Sequence, residues 1–370
     1  VARHVYVHVP FCARRCSYCD FAIAVRRTVP VDDFVEALDR EVSLRTDVTP
    51  GAVETIYLGG GTPSRLGADG VRRVLDLVRA RFSPLDGTEV TIEANPDDIT
   101  PGDAAAWRRA GVTRISLGVQ SFDDRVLQWM HRTHDAAQAV NAAAVLRDAG
   151  FDDWSLDLIF ALPPEVERSW TDDLQRAIAL GPTHISCYGL TIEPHTPLLR
   201  WRERGQIHDA DEERYESEFL EADRTLAQAG YDHYEVSNYA REGRYAKHNS
   251  AYWRRVAYIG LGPSSHSFDG ETRRWNTREY VAWRERILAG QDPVEGAESL
   301  DANAVGIEEA YLGLRTSTGI PITQANAPDF GRWSDRGWAD AVDGVGRLTP
   351  QGWLRLDALV ADLTDLRSRY

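Results

Sequence analysis

Six short apolar runs alternate with helix-like segments through the first half of the chain, and that rhythm restricts its fold more than any other feature. The runs are residues 4–10 (HVYVHVP), 55–61 (TIYLGGG), 90–96 (VTIEANP), 114–121 (RISLGVQS), 154–160 (WSLDLIF) and 184–190 (HISCYGL). Each is rich in Ile, Val, Leu or Tyr and has the length of a buried parallel strand. Between them, residues 31–44 place Phe34, Leu38 and Val42 on one helical face, and residues 71–82 gather Val74, Leu75 and Val78. An Ala-rich helix over 137–149 stops at Gly150, and one over 170–180 follows Ser169, whose hydroxyl can cap it. Strand and helix in alternation mean βα units and a parallel sheet. Right-handed crossovers repeated along six strands curl such a sheet into part of a barrel. The predicted class is therefore α/β, a partial (β/α)6 TIM-like barrel.

Beyond Leu190 the rhythm changes. Residues 211–229 read as a charged surface helix, 234–238 as a strand, 251–268 as an aromatic and then Gly-rich segment, and 277–288 as a helix. Helices over 302–314 and 349–366 flank Gly319-Ile320-Pro321 and suggest a small, helical, winged-helix-like domain. The expected division is 1–230 for the partial barrel, 231–299 for an extension of it, and 300–370 for the C-terminal domain.

A net charge of −15 makes nucleic acid a poor partner, since phosphate contacts need clustered Lys and Arg. The acidic balance of the last segment (Asp301, Glu308, Glu309, Asp340, Asp343, Asp357, Asp362 and Asp365) points its winged-helix-like domain toward protein contact or covering the barrel. No apolar run is long enough for a transmembrane helix. The first residues pass straight into a strand pattern with no secretory signal, so a cytoplasmic location is expected.

Three of the four cysteines fall within eight residues, as Cys12-x3-Cys16-x2-Cys19, directly after the first run. Disulfides do not explain such a cluster in a cytoplasmic chain, whereas metal ligation does. Three thiolates on a compact loop suit a [4Fe-4S] cube and leave one iron without a protein ligand. An open position lets a small molecule coordinate. S-adenosylmethionine (SAM) can chelate that iron through its amino and carboxylate groups, and the cluster can then cleave it reductively. The alternative is a zinc knuckle, which would have to recruit His8 from within its strand to complete four ligands. Cys187 reads as a small buried hydrophobe.

C-x3-C-x2-C with Tyr18 before the third cysteine resembles the signature of the radical SAM superfamily. The remainder of the chain is similar to its HemN/HemW branch, which contains oxygen-independent coproporphyrinogen III oxidases and chaperone-like relatives. The resemblance implies SAM contacts at Tyr6, Tyr18, the Gly59-Gly60-Gly61-Thr62-Pro63-Ser64 turn, Glu93, Gln120, Arg132 and Asp157. Barrel logic agrees, because ligands gather at the C-terminal ends of the strands. For Glu93 and Asp157 the plain alternative is a structural carboxylate. LPPEVERSW after the fifth run and MHRTH around Arg132 depart from the commoner forms of the branch.

His248-Asn249-Ser250-Ala251-Tyr252-Trp253 matches the H-N-x-x-Y-W motif of the haem-chaperone subgroup, and YEVSNY upstream and Ile259-Gly260-Leu261-Gly262 with His266 downstream also look like it. The oxidases carry a fourth cysteine where this chain has Phe21, and a long extension before the first strand. The resemblance thus implies a haem chaperone with a [4Fe-4S] cluster, SAM and haem. It would pass haem to apo-haem proteins such as respiratory enzymes, with transient membrane association left open. His248 could ligate the iron, with Tyr252 and Trp253 as porphyrin walls. Alternatively, His248 only bonds within its loop and the two aromatics are core. The rival functions are a radical SAM C-methyltransferase and, further off, a coproporphyrinogen III oxidase.

Overall fold

The computed structural model describes residues 2–364, so Asp365 and the end of the expected terminal helix at Leu366 lie outside it. Twelve strands make one open sheet. In chain order they are β1 (His4–Val9), β2 (Ala52–Gly60), β3 (Ser83–Ala94), β4 (Arg114–Gln120), β5 (Trp154–Phe160), β6 (His184–Gly189), β7 (Asp232–Glu235), β8 (Asn238–Ala240), β9 (Tyr258–Leu261), β10 (His266–Phe268), β11 (Thr272–Asn276) and β12 (Val294–Ser299). Across the sheet they run β12-β11-β10-β9-β1-β2-β3-β4-β5-β6-β8-β7. From β9 through β6 every pairing is parallel, and antiparallel strands extend both edges. All six runs read from the sequence are strands of the parallel stretch, wound with helices into a partial barrel.

The strands are not apolar on both faces. Val5, Val7 and Val9 of β1, Ile56 and Leu58 of β2, Ile115, Leu117 and Val119 of β4, and Leu156 and Leu158 of β5 are buried in one hydrophobic core. The alternate positions carry Tyr6 and His8, Tyr57, Glu93, Ser116 and Gln120, Asp157 and Tyr188. Successive side chains on a strand point to opposite faces. The aliphatic set therefore packs under the helices, and the polar set lines the inside of the barrel near the strands' C-terminal ends.

A buried carboxylate ties the late strands to this frame. Glu41, on the helix Val31–Leu44, accepts from Gly262 N (2.8 Å), Asn276 Nδ2 (2.6 Å) and Trp283 Nε1 (3.2 Å), and it pairs with Arg45 (3.1 Å). Arg45 in turn donates to the Gly260 carbonyl.

Residues 234–238 form a hairpin rather than one strand, because Glu235 Oε1 accepts from Ser237 N (3.1 Å) and from the Asn238 side chain and so organises a tight turn. The C-terminal segment has helices Ala302–Leu314, Ala327–Ser334, Pro350–Trp353 and Leu356–Leu363 around a three-stranded sheet of Ile320–Pro321, Val345–Leu348 and Ala339–Val342. The expected 349–366 helix is broken at Leu354-Arg355. Gly352 sits hard against the Trp338 carbonyl, and Trp353 Nε1 donates to Leu314 O (2.9 Å), so tertiary contacts override helical continuity. Among the described residues no helix is long and apolar enough to cross a membrane.

Candidate cofactor site

The cysteine loop is pinned at both ends. Phe11–Cys12 pairs in parallel with Ala24–Val25, and Arg26 N donates to Cys12 O (2.9 Å). Within the loop, Ser17 N donates to Met130 O (3.0 Å), and Leu198 N donates to Ser17 O (3.0 Å). Cys12 lies beside the Thr62 hydroxyl (3.4 Å), and Cys16 beside Arg132 Nη1 (3.4 Å). Burial raises the Cys12 thiol and pushes that of Cys19 up to about 12. A metal would displace those protons.

The three thiols open on a cavity of ≈ 350 Å³. Tyr18, Gly60, Gly61, Thr62, Glu93, Gln120, Arg132 and Asp157 line the same cavity. The three cysteines and these eight residues singled out from the sequence thus face one space.

How each strand end presents its side chain follows from local geometry. Gly60 has φ +108°, and a Cβ there would stand 2.5 Å from the His8 ring; one on Gly61 would stand 2.7 Å from the Pro10 backbone. The glycines therefore let β2 close on β1, and Gly60 N is left to donate to Glu93 Oε2 (2.9 Å). Gln120 has φ +72° at a register shift between β4 and β5, a bulge that re-aims its side chain. Arg132 Nη2 donates to Asn95 Oδ1 (2.6 Å) and to Gly118 O (2.7 Å), which fixes the guanidinium over the cavity.

Two carboxylates face the cavity, and one of them keeps an oxygen without a donor. Asp157 Oδ2 accepts from Ser116 (3.3 Å), but its buried Oδ1 has no partner. Burial pushes Asp157 up to about 6 and Glu93 up to about 7. Glu93 also accepts from Tyr57 OH (2.8 Å). Asn95, Ser116 and Tyr188 belong to the site although no motif named them. The period-two alternation from Glu93 to Asn95, from Gln120 back to Ser116, and from Ser186 to Tyr188 is their available signal.

Tyr6 and His248 are not in this cavity. Tyr6 lines a second one, of ≈ 510 Å³, that shares Phe21, Gly60 and Glu93 with the first. His248 is 1% exposed and both ring nitrogens are engaged, Nδ1 with Thr55 Oγ1 (2.6 Å) and Nε2 with Tyr252 OH (2.8 Å). Its backbone N and that of Lys247 donate to Glu89 (3.1 and 3.0 Å). In this arrangement both ring nitrogens of His248 are engaged, one with Thr55 far outside its loop and one with Tyr252 within it. Tyr252 and Trp253 do not share a wall. Tyr252 faces the second cavity, while Trp253 lies under the Arg315 guanidinium, 4.2 Å from its ring centre.

A sequence profile described as the radical SAM superfamily matches residues 6–177. A curated protein of Mycobacterium tuberculosis named heme chaperone HemW is 36% identical, with 97% of this chain and 94% of that protein covered. Proteins of the same name are 32% identical in Bacillus subtilis (86% and 84% covered) and 38% identical in Escherichia coli (71% and 69% covered). Among solved structures, coproporphyrinogen III oxidase (HemN) from Escherichia coli, a radical SAM enzyme, superposes with a TM-score of 0.81 over 98% of this chain and 90% of that one. At 22% identity that likeness is one of fold. Kinship over nearly the whole length, with cysteines and strand-end side chains gathered in one cavity, places the chain in the radical SAM superfamily and, within it, in the HemW family.

Proposed function

We propose that this chain is a haem chaperone that holds a [4Fe-4S] cluster on Cys12, Cys16 and Cys19, takes SAM in the adjoining cavity, binds haem and hands it to an apo-haem protein. The observation that carries the reading is the 36% identity to proteins named heme chaperone HemW over 97% of the chain. Phe21, where the oxidases of the branch carry a further cysteine, supports chaperone over oxidase.

The residues fit the cofactors that the family implies. The three thiols stand on one loop and open on a single cavity. A cube, whose irons occupy separate corners, wants ligands that stand apart. Asp157 Oδ1, buried without a donor, suits a ligand hydroxyl, and Glu93 suits a ligand ammonium. When bound, the cluster offers an iron position that the protein leaves free and an electron source for SAM. The chain's own part is to hold it through three thiolates, to set the Arg132 charge beside Cys16, and to orient the ligand at the strand ends. In the cell the recipient would be an apo-haem protein such as a respiratory enzyme, reached in the cytoplasm or at a membrane surface.

Anaerobic reconstitution with iron and sulfide, then haem addition, tests the proposal. A cubane signal that shifts with SAM is expected, together with a Soret band that moves to an added apo-haem protein. A chain that takes up no haem, or that methylates a substrate with SAM instead, overturns it.

A further inference from the structure

We propose that the arginine-rich rim of the cysteine loop, Arg14, Arg15, Arg26 and Arg27, is the docking face for a small acidic protein that carries one electron to the cluster. The proposal rests on the cluster-binding part of the reading above and is independent of haem.

Charge is spread unevenly along this chain. The whole carries −15, yet residues 1–31 hold five arginines against one acidic side chain, Asp20. The fold gathers four of the five. Phe11–Cys12 and Ala24–Val25 run parallel with Cys12 opposite Val25, and Arg26 N donates to Cys12 O (2.9 Å). Arg14-Arg15 and Arg26-Arg27 therefore leave neighbouring strands at the same end. Arg14 and Arg27 are exposed, Arg15 Nη1 donates to Cys19 O (3.2 Å), and Arg26 Nη1 donates to Val25 O (2.9 Å). Behind them Arg65 Nη2 donates to the carbonyls of Arg26 and Arg27 (3.4 and 3.3 Å). Among the described residues none of the four pairs with a carboxylate, in a chain where acidic side chains outnumber Lys and Arg by 57 to 42. Like charges gathered without counter-charges repel one another and weaken a fold, so the rim points to an anionic partner from outside.

That partner is not SAM, whose sulfonium and ammonium outweigh its one carboxylate and which arginines repel. An extended polyanion does not fit either. Past a screening length of about 8–10 Å it would run onto the acidic remainder of the surface, whereas a compact acidic protein meets the rim alone. The place of the rim selects the partner's task. Residues 13–15 join Cys12 to Cys16, and Ala13 and Arg14 are exposed while Cys16 and Cys19 are half-buried, so this loop is the skin between the cluster and solvent. The fourth cysteine, Cys187, lies in the hydrophobic core, so the chain has no second set of thiols to relay an electron. The electron then comes from another molecule, and because tunnelling falls off steeply with distance, that molecule has to touch the skin. Phe21 and Val25, 59% and 45% exposed, offer it apolar contact beside the arginines. Charges that steer and a few apolar side chains that touch make the small, fast and weak interface that electron carriers use. In the step itself one electron passes from reduced iron in the carrier to the oxidised cluster, with no bond formed or broken and no proton moved.

The test uses the full chain reconstituted without air, with a small acidic [2Fe-2S] ferredoxin as the probe. Calorimetry with oxidised ferredoxin reads binding, and stopped-flow absorbance with reduced ferredoxin reads electron transfer. The wild-type chain is expected to bind ferredoxin at low salt and to release it steeply as salt rises. Arg14→Glu with Arg27→Glu is expected to lower both affinity and transfer rate about tenfold or more at low salt. Reduced methyl viologen, which needs no docking face, is expected to reduce that variant no more slowly than the wild type. Arg147→Glu with Arg224→Glu makes the same change in net charge at exposed positions of the outer helices Ala136–Asp148 and Glu212–Gln228, and is expected to leave affinity and rate nearly unchanged. Equal losses in the two double variants overturn the proposal, since net charge alone would then be at work. So does unchanged binding in the rim variant, or a rim that captures anionic vesicles or nucleic acid and no ferredoxin. In each of those cases the cubane signal leaves the cluster reading standing, whereas a chain that assembles no cube overturns that reading and the proposal with it. Melting curves report the folding of each variant, and the exposed positions of Arg14 and Arg27 leave the core untouched.

Discussion

Arg132 reaches Cys16: Nη1 stands 3.4 Å from the sulfur while Nη2 is held by Asn95 (2.6 Å) and the Gly118 carbonyl (2.7 Å). One planar fork thus joins two strand-end positions, Asn95 and Gly118, to the cysteine loop. A lysine carries the same charge at one point and lacks the fork. Arg132→Lys is therefore expected to fold but to retain less iron per chain after anaerobic reconstitution, and to lose it faster in air. Arg132→Ala leaves two half-buried acceptors, Asn95 Oδ1 and Gly118 O, without their donor, at up to about 1 kcal/mol each, and should also lower the unfolding midpoint of the metal-free chain. Equal iron retention in arginine and lysine forms would show that charge alone is at work.

Glu93 gives a pH dependence with a definite sign. Burial lifts its pKa from 4.5 to about 7, so the native chain keeps this proton to higher pH than the unfolded chain does. Stability is then lost as pH rises from 4.5 to 7, and the loss is complete above 7. Water in the cavity screens the charge, so the cost stays below about 3 kcal/mol. Glu93→Gln should gain stability relative to wild type across that window and run parallel above it, as followed by denaturant titration. A cationic ligand favours the ionised form. SAM binding at pH 6 should therefore release a proton, seen as a buffer-dependent heat in calorimetry, and affinity should rise from pH 5 to 7. A flat affinity profile would remove Glu93 from the ammonium site.

Gly60→Ala tests why a run of glycines ends β2. At φ +108° an L residue is strained, and the added methyl would meet the His8 ring at 2.5 Å. The variant should unfold at markedly lower denaturant, by about 1–2 kcal/mol for the backbone alone. Adding His8→Ala should recover the steric part and leave the backbone part. A stable single variant would mean that β1 and β2 can part here.

The barrel and most of its cavity were legible because both rest on short-range rules. Alternation along β4 and β5 separates Leu117 from Gly118 and Leu156 from Asp157 whatever the rest of the chain does. The cysteine spacing needs only a loop of eight residues. What the sequence concealed depends on partners far away. The orientation of His248 is fixed by Thr55, 193 residues earlier, and by Glu89, which receives the first N–H groups of its helix. A motif gives composition and spacing, but not the direction in which a ring points. The break at Leu354-Arg355 likewise comes from Trp338 and Leu314, which a helical pattern over 349–366 does not contain.

The pair of Glu41 and Arg45 decides whether the second cavity keeps its shape. Both side chains are fully buried, and Glu41 receives Gly262 N after β9, Asn276 at the end of β11 and Trp283 on the helix Tyr280–Leu288 that follows. Removing one charge of a buried pair strands the other, at about 3–5 kcal/mol, whereas replacing both can be nearly neutral. Arg45→Met should therefore destabilise strongly. Arg45→Met with Glu41→Gln should recover much of the loss, because glutamine can still accept from Gly262 or Asn276 without a charge. Urea unfolding of the four chains closes the cycle, and a coupling above about 1 kcal/mol is expected. Additive losses in stability would mean that helix Val31–Leu44 holds those strands by apolar packing, with the ion pair a bystander.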